Sequence, residues 1–179
     1  MRKKLLRLLP LILAACLVVL LARPNVFSLI VGGIILFIGE GARVWASGHL
    51  IRNKEVTTSG PYAYVRDPLY LGRLFLLIGF CIMGWGYNWI LLVIGLGIFF
   101  LNYMPRKYKK EIARLEDRFG EEYRQYVSYT RSLIPRLKPY PYASRRLWSF
   151  SLFWHENREQ YLLSGAFSLF LLLILRYYF

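Results

Sequence analysis

Cysteine, histidine and acidic side chains are all scarce in this chain. The two cysteines, Cys16 and Cys81, both sit inside apolar runs, which leaves no disulfide framework and no zinc pattern. The two histidines, His49 and His155, are far apart and lack metal-ligand spacing, so no metal site is expected. Asp and Glu number 10 against 24 Lys and Arg, giving a net charge of +14. In a soluble protein that balance points to nucleic acid. Helix-turn-helix, RNA-binding and zinc-finger patterns are all missing, however, and no nucleic-acid partner is expected. A glycine-rich dinucleotide fingerprint is missing as well.

Apolar sequence is plentiful: 56% of the 179 residues are hydrophobic and 17% are aromatic. Residues 8–21, 26–48, 69–83, 89–104 and 161–178 form runs at or near the length of a membrane span. The predicted fold is all-α, a single polytopic membrane domain with about five transmembrane helices and a cytoplasm-facing pocket. It divides into an N-terminal helix pair (1–56), a core (57–137), and a surface segment with the last membrane helix (138–179).

The first run follows a basic start, Arg2, Lys3, Lys4 and Arg7, as a signal peptide would. Leu13-Ala14-Ala15-Cys16 has the outline of a lipoprotein box, yet the run stays apolar beyond the cysteine and reads as an uncleaved first span. Pro10 falls in its opening turns, where a missing amide donor costs little. Arg23-Pro24-Asn25 is a tight turn. The second span carries Gly32, Gly33, Gly39 and Gly41, small residues suited to close packing within the chain or between subunits, so the oligomeric state is open. Glu40 and Arg43 share a face of this span and can pair, either to fix packing or as part of a polar wall. Runs three and four, joined through Gly84-Trp85-Gly86-Tyr87-Asn88, read as a helical hairpin.

Beyond the hairpin the chain turns polar and basic. Ile112, Leu115, Phe119, Tyr123 and Tyr126 recur at helical spacing as one apolar stripe, and Gly120 is expected to split that helix in two. Pro135, Pro139 and Pro141 deny regular structure. Trp148, Phe150, Phe153 and Trp154, with Arg145 and Arg146, suit a belt at the membrane surface. With a cytoplasmic N-terminus in an inner or plasma membrane, only Arg23 and Arg176 of the basic residues fall outside. That strong positive-inside bias accounts for the charge and makes anionic membrane lipids a natural partner.

Chemistry is expected where the polar stretch 60–72 meets the segment after the fourth span. Pro68 suits a first helical position, which makes Asp67 the N-cap, and Arg66 and Arg73 flank the mouth of span three. Read bare, Asp67 only caps the helix and Arg66 only reaches toward headgroups.

The motifs in order are Gly60-Pro61-Tyr62-x-Tyr64-x-Arg66-x-Pro68-x-Tyr70-x-Gly72, a hydrophobic hairpin, then Glu111-x-x-x-Leu115-x-x-x-Phe119-Gly120-x-x-Tyr123-x-x-Tyr126 and Ile134-Pro135. This series, over residues 57–137, resembles the integral-membrane methyltransferases that include isoprenylcysteine carboxyl methyltransferase and the phospholipid N-methyltransferases. The resemblance implies an S-adenosyl-L-methionine enzyme acting on a lipid or lipidated substrate with a carboxylate or amine acceptor. It implies Arg66, Asp67 and Glu111 as catalytic residues. It also implies Tyr62, Asp67, Pro68, Tyr70, Gly72, Glu111, Tyr123 and Tyr126 as cofactor-binding residues. The chain departs from the family pattern twice, with Asp67 in place of histidine and Ile112 in place of a second glutamate. An ionised Asp accepts hydrogen bonds and donates none, so Asp67 suits the cofactor's amine or ribose and not its carboxylate. Two other classes stay open: an NADPH-dependent membrane reductase, and a non-enzymatic membrane protein that binds anionic lipid.

Overall fold

The computed structural model describes the backbone from Arg2 and the side chains from Leu9 onward; the side chains of the basic start (Arg2, Lys3, Lys4 and Arg7) lie outside the described residues. The protein is all-helical. Helix α1 spans Arg2–Leu20, α2 Val26–Ser47, α3 Pro68–Gly84, α4 Asn88–Gly97, α5 Met104–Tyr129 and α6 Gln160–Tyr178. A π-helical turn, Ile98–Tyr103, makes α4 and α5 one continuous helix, and shorter turns occupy Gly60–Ala63 and Leu152–Glu156.

Three helices are long and apolar enough to cross a membrane: α2, the continuous Asn88–Tyr129 helix, and α6. Leu9–Leu20 and α3 are apolar but shorter. Exposure on α2 is itself periodic. Phe27, Ile30, Ile34, Phe37 and Ile38 point outward, whereas Ser28, Gly32, Leu36, Gly39, Arg43 and Ala46 are buried. A continuous outward stripe of large apolar side chains marks a membrane or protein contact surface.

The buried face of α2 packs along α3. A Cβ on Gly39 would lie 2.7 Å from the Phe75 Cβ, and one on Gly72 would lie 2.8 Å from the Gly39 carbonyl oxygen. Only glycine lets the two backbones approach this closely. The second span's glycines at 32 and 39 therefore serve contacts inside the chain. In α1, Pro10 lies inside the helix and not in its opening turns, because the helix already runs from Arg2.

The two ends of this bundle are built differently. At one end α1 turns into α2 beside the α3–α4 hairpin. The Arg23 amide donates to the Gly84 carbonyl at 2.8 Å, and the buried Asn88 amide group donates to the Val18 carbonyl at 3.0 Å. Asn25 caps α2 through a reciprocal box with Ser28, whose hydroxyl also reaches the Met83 carbonyl at 3.2 Å. Val18, Ala22, Leu36, Leu76, Met83 and Leu173 form the core beneath.

At the other end, residues 48–67 and 130–159 interlace into a polar cap. The Arg66 and Asp67 amides donate to the Arg131 and Ser132 carbonyls at 2.9 and 3.1 Å. The Arg136 and Tyr140 amides donate back to Tyr64 and Ala63 at 2.9 and 2.7 Å. Helix α5 kinks at Gly120 (φ 51°, ψ −122°), as expected, and this folds the Ile112-to-Tyr126 stripe onto Val56 and Tyr140.

The segment 144–157 then straps over the end of α2 and adds donors to the carbonyls there. The Trp148 indole donates to Val44 and the Ser149 amide to Gly48, both at 2.9 Å. The Asn157 side-chain amide donates to Ser47 and Leu50, and an Arg146 guanidinium nitrogen donates to His49 at 3.1 Å. Trp148, one of the aromatics expected to form a surface belt, thus caps a helix. Trp148, Phe150, Phe153 and Trp154 pack together, with the Phe150 and Trp154 rings stacked, and Phe153 is buried.

Candidate functional site

The polar cap encloses a cavity of about 390 Å³ where it meets the bundle. That volume lies within the range of about 300–1,000 Å³ usual for small-molecule and cofactor sites. One wall comes from the start of α3 and the turn before it: Tyr62, Arg66, Asp67, Pro68, Tyr70 and Arg73. The facing wall comes from α5, with Lys107, Tyr108, Glu111, Ile112, Leu115, Tyr123 and Tyr126, and the connection at Leu50–Thr57 closes the remaining side.

Every residue implied by the family resemblance lines this cavity except Gly72. Gly72 lies on the opposite face of α3, against Gly39 and the Arg43 side chain, where it sets the distance between helices. Its period along α3 explains the difference: Tyr70 and Arg73 turn toward the cavity, so Gly72 turns toward α2.

Asp67 stands at the N-cap of α3, with Pro68 at the first helical position, but its carboxylate makes no capping bond. The carboxylate instead ties three elements together. One oxygen accepts from Lys107 of α5; the other accepts from the Ser132 hydroxyl at 2.6 Å and lies 3.4 Å from the Arg66 Nε. Two cations outbid a helix amide for one carboxylate, since charge-assisted bonds are the stronger ones.

Lys107 also reaches Glu111 at 3.1 Å, one turn further along α5. Its ammonium sits 3.4 Å from the centre of the Tyr70 ring, and Arg73 approaches the same ring at 5.0 Å. Arg66 lies over Tyr108 at 5.0 Å. Burial opposes the charge on Arg66, but Asp67 and Tyr108 more than offset it, so its pKa lies above its ordinary value and it stays a cation. Burial, with Tyr126 and Asp67 nearby, pushes the Tyr62 phenol well above its ordinary range. Tyr126 donates its hydroxyl to the Tyr62 carbonyl at 2.8 Å, so the two predicted tyrosines also brace the cavity floor.

Lys107, Tyr108, Ser132 and the Leu50–Thr57 wall were not singled out in the sequence. Lys107 was the most legible of these, because Glu111 four residues later is a helical ion-pair spacing. Ser132 and Leu50–Thr57 carry no local signal; only the chain's route brings them in.

Glu40 and Arg43 do pair, at 3.6 Å, but neither lines this cavity. Arg43 is completely buried, donates to the Leu69 carbonyl at 3.4 Å, and binds Glu159 just before α6. Of the two readings, the one that fixes helix packing fits this geometry. Compared with family models, curated proteins and solved structures, the chain matches none.

Proposed function

We propose that this chain is an S-adenosyl-L-methionine-dependent methyltransferase acting on a lipid or lipidated small molecule. In this reading about five helices hold it in an inner or plasma membrane, with the N-terminus and the polar cap on the cytoplasmic side. One observation carries the proposal: residues drawn from two distant motifs, 62–70 and 111–126, converge on a single cavity at the membrane end of the cap.

The donor and acceptor set fits the cofactor. When bound, it supplies a methyl group on a positively charged sulfur. Aromatic faces accept such charge, and among the described residues the rings of Tyr62 and Tyr123 carry no side-chain cation, unlike those of Tyr70 and Tyr108. Glu111 has capacity to spare: among the described residues its one ionic partner is Lys107, and its side chain is 34% exposed. It suits an amine or ribose hydroxyl, and with an amine acceptor it is positioned to take the proton. Asp67 already accepts from three partners and, with Arg66, holds the wall rigid. Methyl transfer needs alignment above all, and a wall cross-tied through Asp67 provides it.

Calorimetric titration of the purified protein in detergent tests the reading, with S-adenosyl-L-methionine in one arm and NADPH in the other. Binding of the first in the micromolar-to-millimolar range is expected. Its absence overturns the proposal, and binding of NADPH alone favours the reductase class. Glu111→Gln should lower turnover by about 10²-fold with an amine acceptor, while thermal stability stays close to wild type.

A further inference from the structure

A charge inside a membrane helix is costly and persists where it is paired or where a ligand passes. Among the described residues, the apolar helices α2, α3, α4 and α6 carry Glu40, Arg43, Arg73 and Arg176. The first two are answered by each other and by Glu159. Arg176 lies in the last turn of α6, where the negative end of the helix dipole favours a cation. Arg73 has neither kind of compensation. It sits near the positive end of α3, and no carboxylate reaches ion-pair distance of it among the described residues.

The cavity sharpens this contrast. Its other half-buried cations are answered, Arg66 by Asp67 and Lys107 by Asp67 and Glu111. Arg52 and Arg114 also line it, but they are exposed, so water solvates them. Arg73 is half-buried, gives one donor to the Tyr103 hydroxyl, and shares the Tyr70 ring with Lys107. Two cations on one ring, with acids only on the lysine side, leave excess positive potential beside Arg73. The Tyr103 oxygen accepts from Arg73, and the phenol keeps a proton of its own to donate. The π-helical turn Ile98–Tyr103 holds that phenol against α3.

We infer that Arg73, with Tyr103, binds a phosphate-type oxyanion of the lipid acceptor, a group distinct from the one that is methylated. The guanidinium fork matches phosphate geometry. The inference rests on the cavity being the methyl-transfer site. Arg73 lies about 7.5 Å along α3 from Pro68, toward the apolar part of the bundle. Glu111 lies on the polar side. The acceptor's oxyanion therefore sits between its apolar chains and its reacting group.

The test is calorimetry in detergent on wild type, Arg73→Gln, Arg73→Lys and Tyr103→Phe. The probes are dioctanoyl phosphatidic acid, dioctanoylglycerol, inorganic phosphate and, separately, S-adenosyl-L-methionine. Phosphatidic acid should bind wild type at least about tenfold tighter than dioctanoylglycerol or inorganic phosphate, and Arg73→Gln should lose about tenfold or more. Arg73→Lys and Tyr103→Phe should fall between, and they carry the test if Arg73→Gln does not fold. Cofactor affinity should not change in any variant. Equal phosphatidic acid affinity in wild type and the variants overturns the inference. Inorganic phosphate binding as tightly as the lipid overturns its lipid source, and a parallel loss of cofactor affinity reassigns Arg73 to the cofactor. If wild type ignores the cofactor yet binds phosphatidic acid through Arg73, the oxyanion site stands and the methyltransferase reading falls.

Discussion

The two ends of the bundle solve the same problem, closing helices over a buried apolar interior, by opposite means. The end at Arg23 and Trp85 uses short turns, backbone hydrogen bonds and one buried amide, Asn88. The polar cap uses long connections, and charged side chains act as its ties: Arg43 to Glu159, Asp67 to Arg66 and Lys107, Arg146 to Glu55. Turns leave no room for a ligand, whereas ties between distant segments leave a cavity between them. The difference teaches where function can reside: a site needs groups from several parts of the chain, and only the cap gathers them.

The largest effect should come from the tie that joins the cap to the bundle. Arg43→Ala leaves Glu159 buried without its partner, and truncating one side of a buried pair costs about 3–5 kcal/mol. Detergent unfolding should show a large loss of stability. A near-neutral result would mean that the cap sits on the bundle independently of this charge, and the contrast between the ends would lose its main support.

A pH effect of intermediate size should also belong to the cap alone. His49 is buried beside the Ser59 hydroxyl at 3.1 Å, and burial first, then the neighbouring Arg146, lower its pKa from the usual 6.5. The unfolded chain therefore takes up the proton at higher pH than the folded one. Stability should be full above pH 6.5 and decline as pH falls through the lowered folded value. Thermal melts at successive pH values should show that decline, and His49→Gln should flatten it. An unchanged slope in the variant would place the acid sensitivity elsewhere.

The smallest effect is expected at the turn end. Arg23 lies over the exposed Tyr87 ring at 5.3 Å, and such an exposed pair contributes about 0.5–1 kcal/mol. Tyr87→Ala should lower the melting temperature slightly and leave cofactor binding intact. A loss of binding would show that the two ends are coupled.

How much of this was legible depends on how local the signal is. The helical hairpin, the Gly120 kink and the Ile112-to-Tyr126 stripe follow from periodicity and turn chemistry within a few residues. Tyr62, Arg66, Asp67, Pro68, Tyr70, Glu111, Tyr123 and Tyr126 were named as one set through a resemblance drawn from the sequence, and all of them line the cavity. The positions of Gly72 and the Asp67 carboxylate were not. Gly72 has a second neighbour in Gly39, 33 residues earlier by number, and Asp67 has stronger partners than its own helix end.

By itself, then, the sequence determined an all-helical chain with membrane-length apolar helices and a basic cap, since each of these depends on composition and short-range pattern. The tertiary structure decided which charges answer one another. Arg43 found Glu159 across the chain, and Lys107 joined Arg66 on Asp67. Arg73, in the same cavity, was left with a phenol and a ring. Charge pairing is settled by distance in space, and residues such as 43 and 159 become neighbours only once the helices have packed.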